Sequence, residues 1–507
     1  MPTVAAADKL KEVSEKKPEL KEVKKTDQKV EEVTQKVEKK TEEVAKNPVL
    51  EKAPEKIEKP EGLDKSVGVK KVEAVTGTVG VQKGMTTGVP IAATLPTTSK
   101  SFGPRTGIGL GNSRFTRGAK VNNGTNSGGA EVKVGPVRGI LELAKDSHGV
   151  LRVNYAEGEN DIYIGTNHIR RLKLRPGDIV EGTARELKEG ERYRGLVSIL
   201  KINDLPVEEY VKKDRVKFHN LTPVYPDEQI RLELGQEPVS LRIIDLLAPI
   251  GKGQRSLIVS PPKAGKTTLI KEIATGVAKN HPEMHVMAVL VGERPEEVTD
   301  IGRHIERITN GDGEVAASNF DEPADQQCAV AELALERAKR MVEEGRDVLI
   351  LLDSITRLAR AYNLSIPTSG RTLSGGFDPA ALFPPKRFFG AARNFEREGS
   401  LTIIGTALVD TGSRMDDLVY EEFKGTGNQE LHLDRRLAER RIYPAIEVQK
   451  SGTRRDDLLI DPMTYQAVLT LQRMLDTLDK EERTTTLLMQ MKKSKGNKEF
   501  LQGLRNG

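Results

Sequence analysis

The chain has one cysteine, Cys328, no tryptophan, and aromatic residues at only 4% of its 507 positions. A single thiol excludes a disulfide framework and any zinc site built on several cysteines, and it fits a reducing cytoplasm. Scarce aromatics leave few platforms on which bases can stack. No run of eighteen or more apolar residues is present, and the N-terminus lacks the basic-then-apolar order of an export signal. Neither a membrane partner nor secretion is therefore expected. A charge excess is missing too: 80 Lys and Arg against 75 Asp and Glu leave a net +5, so any nucleic-acid surface must be local. The length has room for roughly two to four domains.

Composition changes three times along the chain. Residues 1–60 are rich in Lys, Glu and Val and contain no Phe, Tyr or Trp. Such a stretch cannot bury enough surface to fold alone and reads as a disordered, charged tail, with partner-induced helix as the alternative. Residues 61–133 turn to Gly, Thr, Ser and Asn and read as a linker, basic in its second half through Arg105, Arg114, Arg117 and Lys120. Short strand-like runs then follow at 138–143, 149–154, 161–164, 178–183 and 193–200. Five strands in about seventy residues predict a small all-β barrel over 134–210, with the oligonucleotide-binding (OB) barrel as the first candidate among several of this rhythm. A connector is expected at 211–239. From 240 to 507 continuous apolar runs at 256–260, 285–291, 347–352 and 401–408 alternate with helical stretches, which predicts an α/β domain with a parallel sheet covered on both faces.

The run Ser260–Thr267 (SPPKAGKT) sits between an apolar strand and a helix with Leu269, Ile270, Ile273, Ala274 and Val277 at helical spacing. Strand, loop and helix in that order aim backbone N–H groups and a helix N-terminus at a phosphate chain. A Pro-rich turn is the alternative, and Ser260 stands where the P-loop pattern has its first glycine. Lys266 is placed to reach the β/γ-phosphates of ATP and Thr267 to offer a hydroxyl to Mg²⁺. Asp353, at the end of the apolar run 347–352, is a candidate for holding the Mg²⁺ water shell or for capping the following helix. Glu293 ends the preceding strand, where a carboxylate orients and polarises the water that attacks a γ-phosphate. Glu296 and Glu297 read as first-turn helix residues facing the helix dipole.

Five long segments carry a resemblance: Gly292–Thr299 (GERPEEVT), Leu352–Asn363 (LDSITRLARAYN), Lys386–Arg393 (KRFFGAAR), Tyr420–Asn428 (YEEFKGTGN) and Lys450–Arg455 (KSGTRR). The chain from about Val134 onward resembles the family of transcription termination factor Rho. The resemblance implies an OB barrel followed by a RecA-like P-loop motor, assembled as a homohexamer with each ATP site between two subunits. It also implies a cytoplasmic, RNA-dependent ATPase with 5′–3′ helicase activity that loads nascent RNA and dislodges RNA polymerase, with elongation factors as further partners. The family's small helical N-terminal subdomain has no recognisable counterpart.

Carried over by motif, Glu293, Lys266, Asp353 and Arg454 are the catalytic set, with Arg454 as an arginine finger reaching a neighbour's site. Outside the family, Arg454 reads as an ordinary surface arginine. ATP contacts are implied for Gly251, Lys252, Gly253, Gln254, Arg255 and Ser256, for Lys263, Ala264, Gly265, Thr267 and Thr268 in the loop, and for Arg294 and the adenine-stacking Tyr443. Thr267 and Asp353 are the metal residues. Two Gly-rich segments, Ser369–Gly376 and Asp410–Arg414, are implied to face a channel and grip RNA through Arg371, Thr411 and Arg414, where the family commonly has Lys at both arginine positions. The primary RNA site is implied at Ser147, His148, Gly149, Val150, Leu151 and Arg152, at Asp161, Ile162 and Tyr163, and at Glu191, Arg192 and Tyr193. His148 and Val150 stand where the family has two stacking Phe residues, so weaker base stacking is expected. A rotary-ATPase-type catalytic subunit and a non-catalytic RNA-binding regulator are the competing readings.

Overall fold

A computed structural model describes residues 134–506 apart from 145, 146 and 398. The tail expected over 1–60 and the linker expected over 61–133 lie outside the described residues.

Five strands come first: β1 (Val134–Leu143), β2 (Gly149–Arg152), β3 (Ile162–Ile164), β4 (Ile179–Arg185) and β5 (Arg194–Ile202), with the short β6 (Leu205–Pro206) beside β5. They pair antiparallel in the order β3-β2-β1-β4-β5, and a parallel pairing of β3 with β5 closes the barrel. Alternation decides the core: Leu141, Leu151, Ile162, Ile164, Val180 and Ala184 point inward. Helix α1 (Thr166–Leu172) adds Ile169 and Leu172 to that core, and α2 (Val207–Lys212) adds Tyr210. The expected barrel is present, its strands lying close to the runs that the sequence pattern marks.

Past the short β7 (Pro223–Val224) and α3 (Val239–Leu247) the chain alternates strand and helix. The strands β8 (Arg255–Ser260), β9 (His285–Glu293) and β10 (Glu314–Asn319) are separated by α4 (Lys266–Asn280) and α5 (Pro295–Ile308). Next come α6 (Ala324–Glu343), β11 (Asp347–Asp353), α7 (Ile355–Ser365), α8 (Phe383–Phe389), β12 (Arg393–Phe395) and β13 (Ser400–Leu408). The series ends with α9 (Arg414–Lys424), β14 (Gln429–His432), α10 (Arg435–Glu439) and β15 (Gly452–Thr453), followed by three C-terminal helices. Six strands are parallel, in the order β10-β9-β11-β13-β8-β14. Their runs are buried on both faces, with one core beneath α3, α4 and the C-terminal helices and another beneath α6 to α9. Because the strands run the same way, Ser260, Glu293 and Asp353 all emerge at one edge, which is where α/β sheets hold ligands.

The barrel is tied to the α/β domain by polar contacts. The Tyr155 hydroxyl donates to Glu314 at the start of β10. Arg175 Nη2 pairs with Glu343 Oε2 at 2.7 Å, and Glu343 Oε1 accepts the Phe218 N–H at 2.8 Å. Among the described residues no helix is long and apolar enough to cross a membrane.

Candidate nucleotide site and RNA-facing surfaces

The phosphate loop follows β8, and α4 starts at Lys266 behind Gly265. Gly265 has φ +96°, a left-handed conformation that a side chain would strain, and a Cβ there would lie 3.5 Å from Tyr443 Cε1. Tyr443 therefore stands beside the loop, half exposed, with its ring free to cover a flat ligand. Lys263 and Ala264 complete the turn, and Thr267 and Thr268 occupy the first turn of α4.

Three charged side chains converge at the strand ends. Lys266 Nζ donates to Asp353 Oδ1 at 2.5 Å and lies 3.6 Å from Glu293 Oε1. Thr406 Oγ1, on neighbouring β13, donates to the same Asp353 oxygen at 2.7 Å. Asp353 Oδ2 is buried and has no hydrogen-bond partner. An orphaned carboxylate oxygen beside a phosphate loop is the chemistry that a hard cation or its water would satisfy. The helix-capping alternative for Asp353 falls to its neighbour, since Ser354 accepts the Arg357 N–H at 3.2 Å.

Glu293 is buried, and its pKa is pushed up to about 7. Burial is the largest cause and the Asp353 charge adds to it, while Lys266 and Arg357 pull the other way. A carboxylate poised near neutrality, at a site with phosphate-binding geometry, can accept a proton from water. Arg294 caps α5 and is exposed, and Glu296 and Glu297 lie in that helix's acidic first turn as expected. Sequence reasoning missed Arg357, whose Nε lies 3.1 Å from Glu293 Oε1. The signal was its place one helical turn after Asp353. Thr406 was missed as well, and no local motif marks it.

Gly251–Ser256 does not join this cluster. It precedes or begins β8, so the strand holds it roughly 17 Å from the phosphate loop of its own chain. Lys252 there bridges Glu228 and Asp347 at 2.8 and 3.0 Å. Gln254 is buried on Asn428, and the Arg255 guanidinium is pinned by the Thr426 and Ala392 carbonyls. These residues lie at the end of β8 opposite to the phosphate loop of the same chain. Arg454 lies at this same far end, its N–H on the Asn428 carbonyl at 2.8 Å, and its charge adds to burial and to Arg393 in lowering the Arg255 pKa.

The two Gly-rich loops meet. Gly375, at φ +73°, packs so closely that a Cβ would lie 2.6 Å from the Met415 backbone nitrogen at the start of α9. Arg371 is exposed, and so is Arg414 at the first position of that helix. Thr411 Oγ1 instead donates to buried Asp416 at 2.6 Å, which makes it a structural support for its loop.

On the barrel, the His148 and Tyr163 rings lie 5.3 Å apart with planes tilted 34°, and Tyr163 is exposed. Arg152 is clamped by Glu142 and Asp161 at 2.5 Å each, and Asp161 is buried. Arg192 pairs with Glu157, which also accepts the Tyr193 hydroxyl at 3.1 Å, and Glu191 pairs with Arg185. The β3–β5 pairing brings these two groups to one surface. Ser147 lies in the exposed turn before β2. Two expected side-chain contacts need correction, since Leu151 and Ile162 face the barrel core; Gly149 is packed so that a Cβ would run into Leu141 and Ile164. The pleat turns these side positions away from any ligand, leaving only their backbone.

Val150 is 6% exposed, between Glu142 and Tyr163 on the adjoining strands. His148→Phe should therefore strengthen single-stranded RNA binding by about tenfold, since stacking is worth roughly 1–3 kcal/mol per base. Val150→Phe should add less, because the larger ring must displace its neighbours. Anisotropy titrations with homopolymer RNAs at two salt concentrations check this. A gain from His148→Phe that vanished at high salt would show phosphate contact in place of stacking.

Comparison with known proteins follows the same division. Residues 137–208 match the family model described as Rho termination factor, RNA-binding domain, and residues 240–453 match ATP synthase alpha/beta family, nucleotide-binding domain. Proteins named transcription termination factor Rho align over most of the chain. The one from Bacillus subtilis is 54% identical over 367 residues, covering 72% of this chain and 83% of its own length. The one from Thermotoga maritima is 53% identical over 366 residues, covering 72% and 84%. The one from Mycobacterium tuberculosis is 51% identical over 398 residues, covering 76% of this chain but only 64% of its own length.

Proposed function

The chain belongs to the family of transcription termination factor Rho, and on that premise we propose that it is an ATP-driven RNA translocase and 5′–3′ helicase that ends transcription by dislodging RNA polymerase. The observation that carries the proposal is the Lys266–Asp353–Glu293 cluster at the strand ends of a chain that also carries the RNA-binding barrel. In this reading 134–210 is the barrel, 211–239 a connector and 240–507 a RecA-like motor, six copies forming a ring in the cytoplasm. Nascent RNA enters by the barrel surface around His148 and Tyr163 and is drawn past Arg371 and Arg414.

The chemistry is hydrolysis of ATP to ADP and phosphate. Lys266 and the N–H groups of the loop hold the β- and γ-phosphates, and Tyr443 covers the adenine. Mg²⁺, held by Thr267 and through Asp353 Oδ2, would neutralise charge between the phosphates. Glu293 orients a water in line with the γ-phosphorus and takes its proton, while Arg357 keeps the carboxylate in place. Arg454, with Gly251–Ser256 beside it, lies at the wrong end of β8 for its own nucleotide. That position suits a ring in which it stabilises transition-state charge in a neighbour's site.

The match of 240–453 to the ATP synthase alpha/beta model favours a rotary-ATPase-type subunit as the second reading. One measurement separates them: ATP hydrolysis by the full chain with and without a panel of homopolymer RNAs. The proposal expects stimulation of at least about tenfold by one of them. Equal rates with and without saturating RNA would refute it and favour the rotary reading, and no hydrolysis at all would favour a non-catalytic regulator.

A further inference from the structure

Helix α7 makes a different functional contact on each of its turns. Arg357 holds Glu293 on one turn, at 3.1 Å. Arg360, one turn on, donates from Nε and Nη2 to Asp416 Oδ1 at 2.8 and 2.6 Å, and Asp416 in turn accepts the Thr411 hydroxyl of the second Gly-rich loop. Near the end of the helix, Asn363 Oδ1 accepts the Asp378 N–H at 2.8 Å.

Asp378 is a hub. Its carboxylate accepts from the Ser369 N–H at 2.6 Å, the Ser369 hydroxyl at 2.8 Å, the Thr368 hydroxyl at 3.3 Å and the Ala380 N–H at 2.8 Å. Hydrogen bonds to an ionised carboxylate are about twice as strong as neutral ones. These bonds hold its pKa below the ordinary value, so the carboxylate is charged throughout the working pH range. The loop root at Thr368–Ser369 is thus fixed and Gly375 packs on the start of α9, while Gly370, at positive φ with open space around it, is where the segment carrying Arg371 can turn. The six residue steps of helix from Arg357 to Asn363 span about 9 Å, a rigid link between the arginine that holds Glu293 and the residue that seats Asp378.

We propose that Asp378, seated on Asn363, is the positioning residue that fixes the root of loop 369–376 and thereby couples that loop, through α7, to Glu293. The proposal rests on the reading of this loop as an RNA contact in an ATP-driven motor. Its content is that hydrolysis and RNA movement are linked through the loop's root, while the arginine at its tip only touches the strand. Removing Asp378 would leave both the nucleotide cluster and the barrel intact but let the loop move independently of α7.

The test uses the full chain with three substitutions: Asp378→Ala, Asp378→Asn and Asn363→Ala. Hydrolysis without RNA and single-stranded RNA affinity are expected to stay within about twofold of the unmodified protein for Asp378→Ala. The RNA concentration that half-saturates stimulation should rise about tenfold, and base pairs unwound per ATP should fall. Asp378→Asn keeps an acceptor for the Ser369 N–H and should recover part of the loss. Asn363→Ala should reproduce the defect in smaller measure, and combining it with Asp378→Ala should add little, because the two break successive links of one chain, Asn363 to the Asp378 N–H and the Asp378 carboxylate to the loop root. A residue with only a structural role would instead lower RNA-free hydrolysis and melting temperature together. Unchanged RNA activation and unchanged unwinding per ATP in Asp378→Ala would overturn the proposal. Absence of RNA stimulation in the unmodified protein would sink the functional reading itself, and the proposal with it.

Discussion

Replacing Lys266 with alanine should lower RNA-stimulated ATP hydrolysis by about three orders of magnitude, at the upper end of what one preorganised charge contributes. Two losses combine. The β/γ-phosphates lose their cation, and Glu293 loses the charge that holds its pKa down against burial and against Asp353. With that ammonium gone the Glu293 carboxyl shifts further toward the protonated form at neutral pH, where it cannot accept a proton from water. Proton uptake by Glu293 also relieves the repulsion left between two buried carboxylates, so the melting temperature should move little. RNA binding by the barrel should persist, because His148 and Tyr163 stand on a separate sheet with its own core. Steady-state hydrolysis and filter binding on the same preparation check both halves. Hydrolysis within a few-fold of the unmodified protein would show that the phosphate chain lies elsewhere.

The nucleotide cluster was legible because its residues sit at ends of continuous apolar strands. A buried strand of a parallel sheet advertises itself as an unbroken apolar run, and the polar residue that ends it must lie at the sheet's edge. Ser260, Glu293 and Asp353 were all found that way. Arg357 was passed over since a motif read as a string gives no weight to helical phase, and Thr406 depends on the order of strands β11 and β13, which no local pattern encodes. The same limits bear on where other expected residues lie. Gly251–Ser256 is adjacent to the phosphate loop in sequence, but an extended strand converts six residues of adjacency into separation. Leu151 and Ile162 entered the RNA surface because a contiguous motif credits every residue in it, whereas the pleat sends alternate side chains inward. Clamping of Arg152 by Glu142 and Asp161 was equally hidden, as it requires β1, β2 and the β3 approach to be aligned.

Glu293→Gln should lower the maximal rate of hydrolysis by about a thousandfold, within the range for loss of a positioned base, while ATP binding survives. Glutamine keeps the shape and can still accept from Arg357, so the geometry of the site is preserved and only proton acceptance is lost. The pH dependence gives a second reading of the same group. With its pKa near 7, Glu293 is protonated and inactive as a base on the acid side, so the rate should climb as pH rises through about 7 and then level. Stability runs the other way. The folded-state pKa lies above the ordinary value of 4.5, so between those two pH values the native state binds more protons than the unfolded chain. Stability attributable to this group is therefore full below about 4.5, declines as pH rises, and is lost past 7. Activity is thus gained over the interval in which the nucleotide-free protein loses stability, as expected where a site stores unfavourable burial of a charge for use in catalysis. In Glu293→Gln both slopes should flatten together, the rate near neutrality and the melting temperature below it. A residual rate that kept its acid limb near pH 7 would assign that limb to another group, and Glu293 would then be a positioning residue for Lys266 alone.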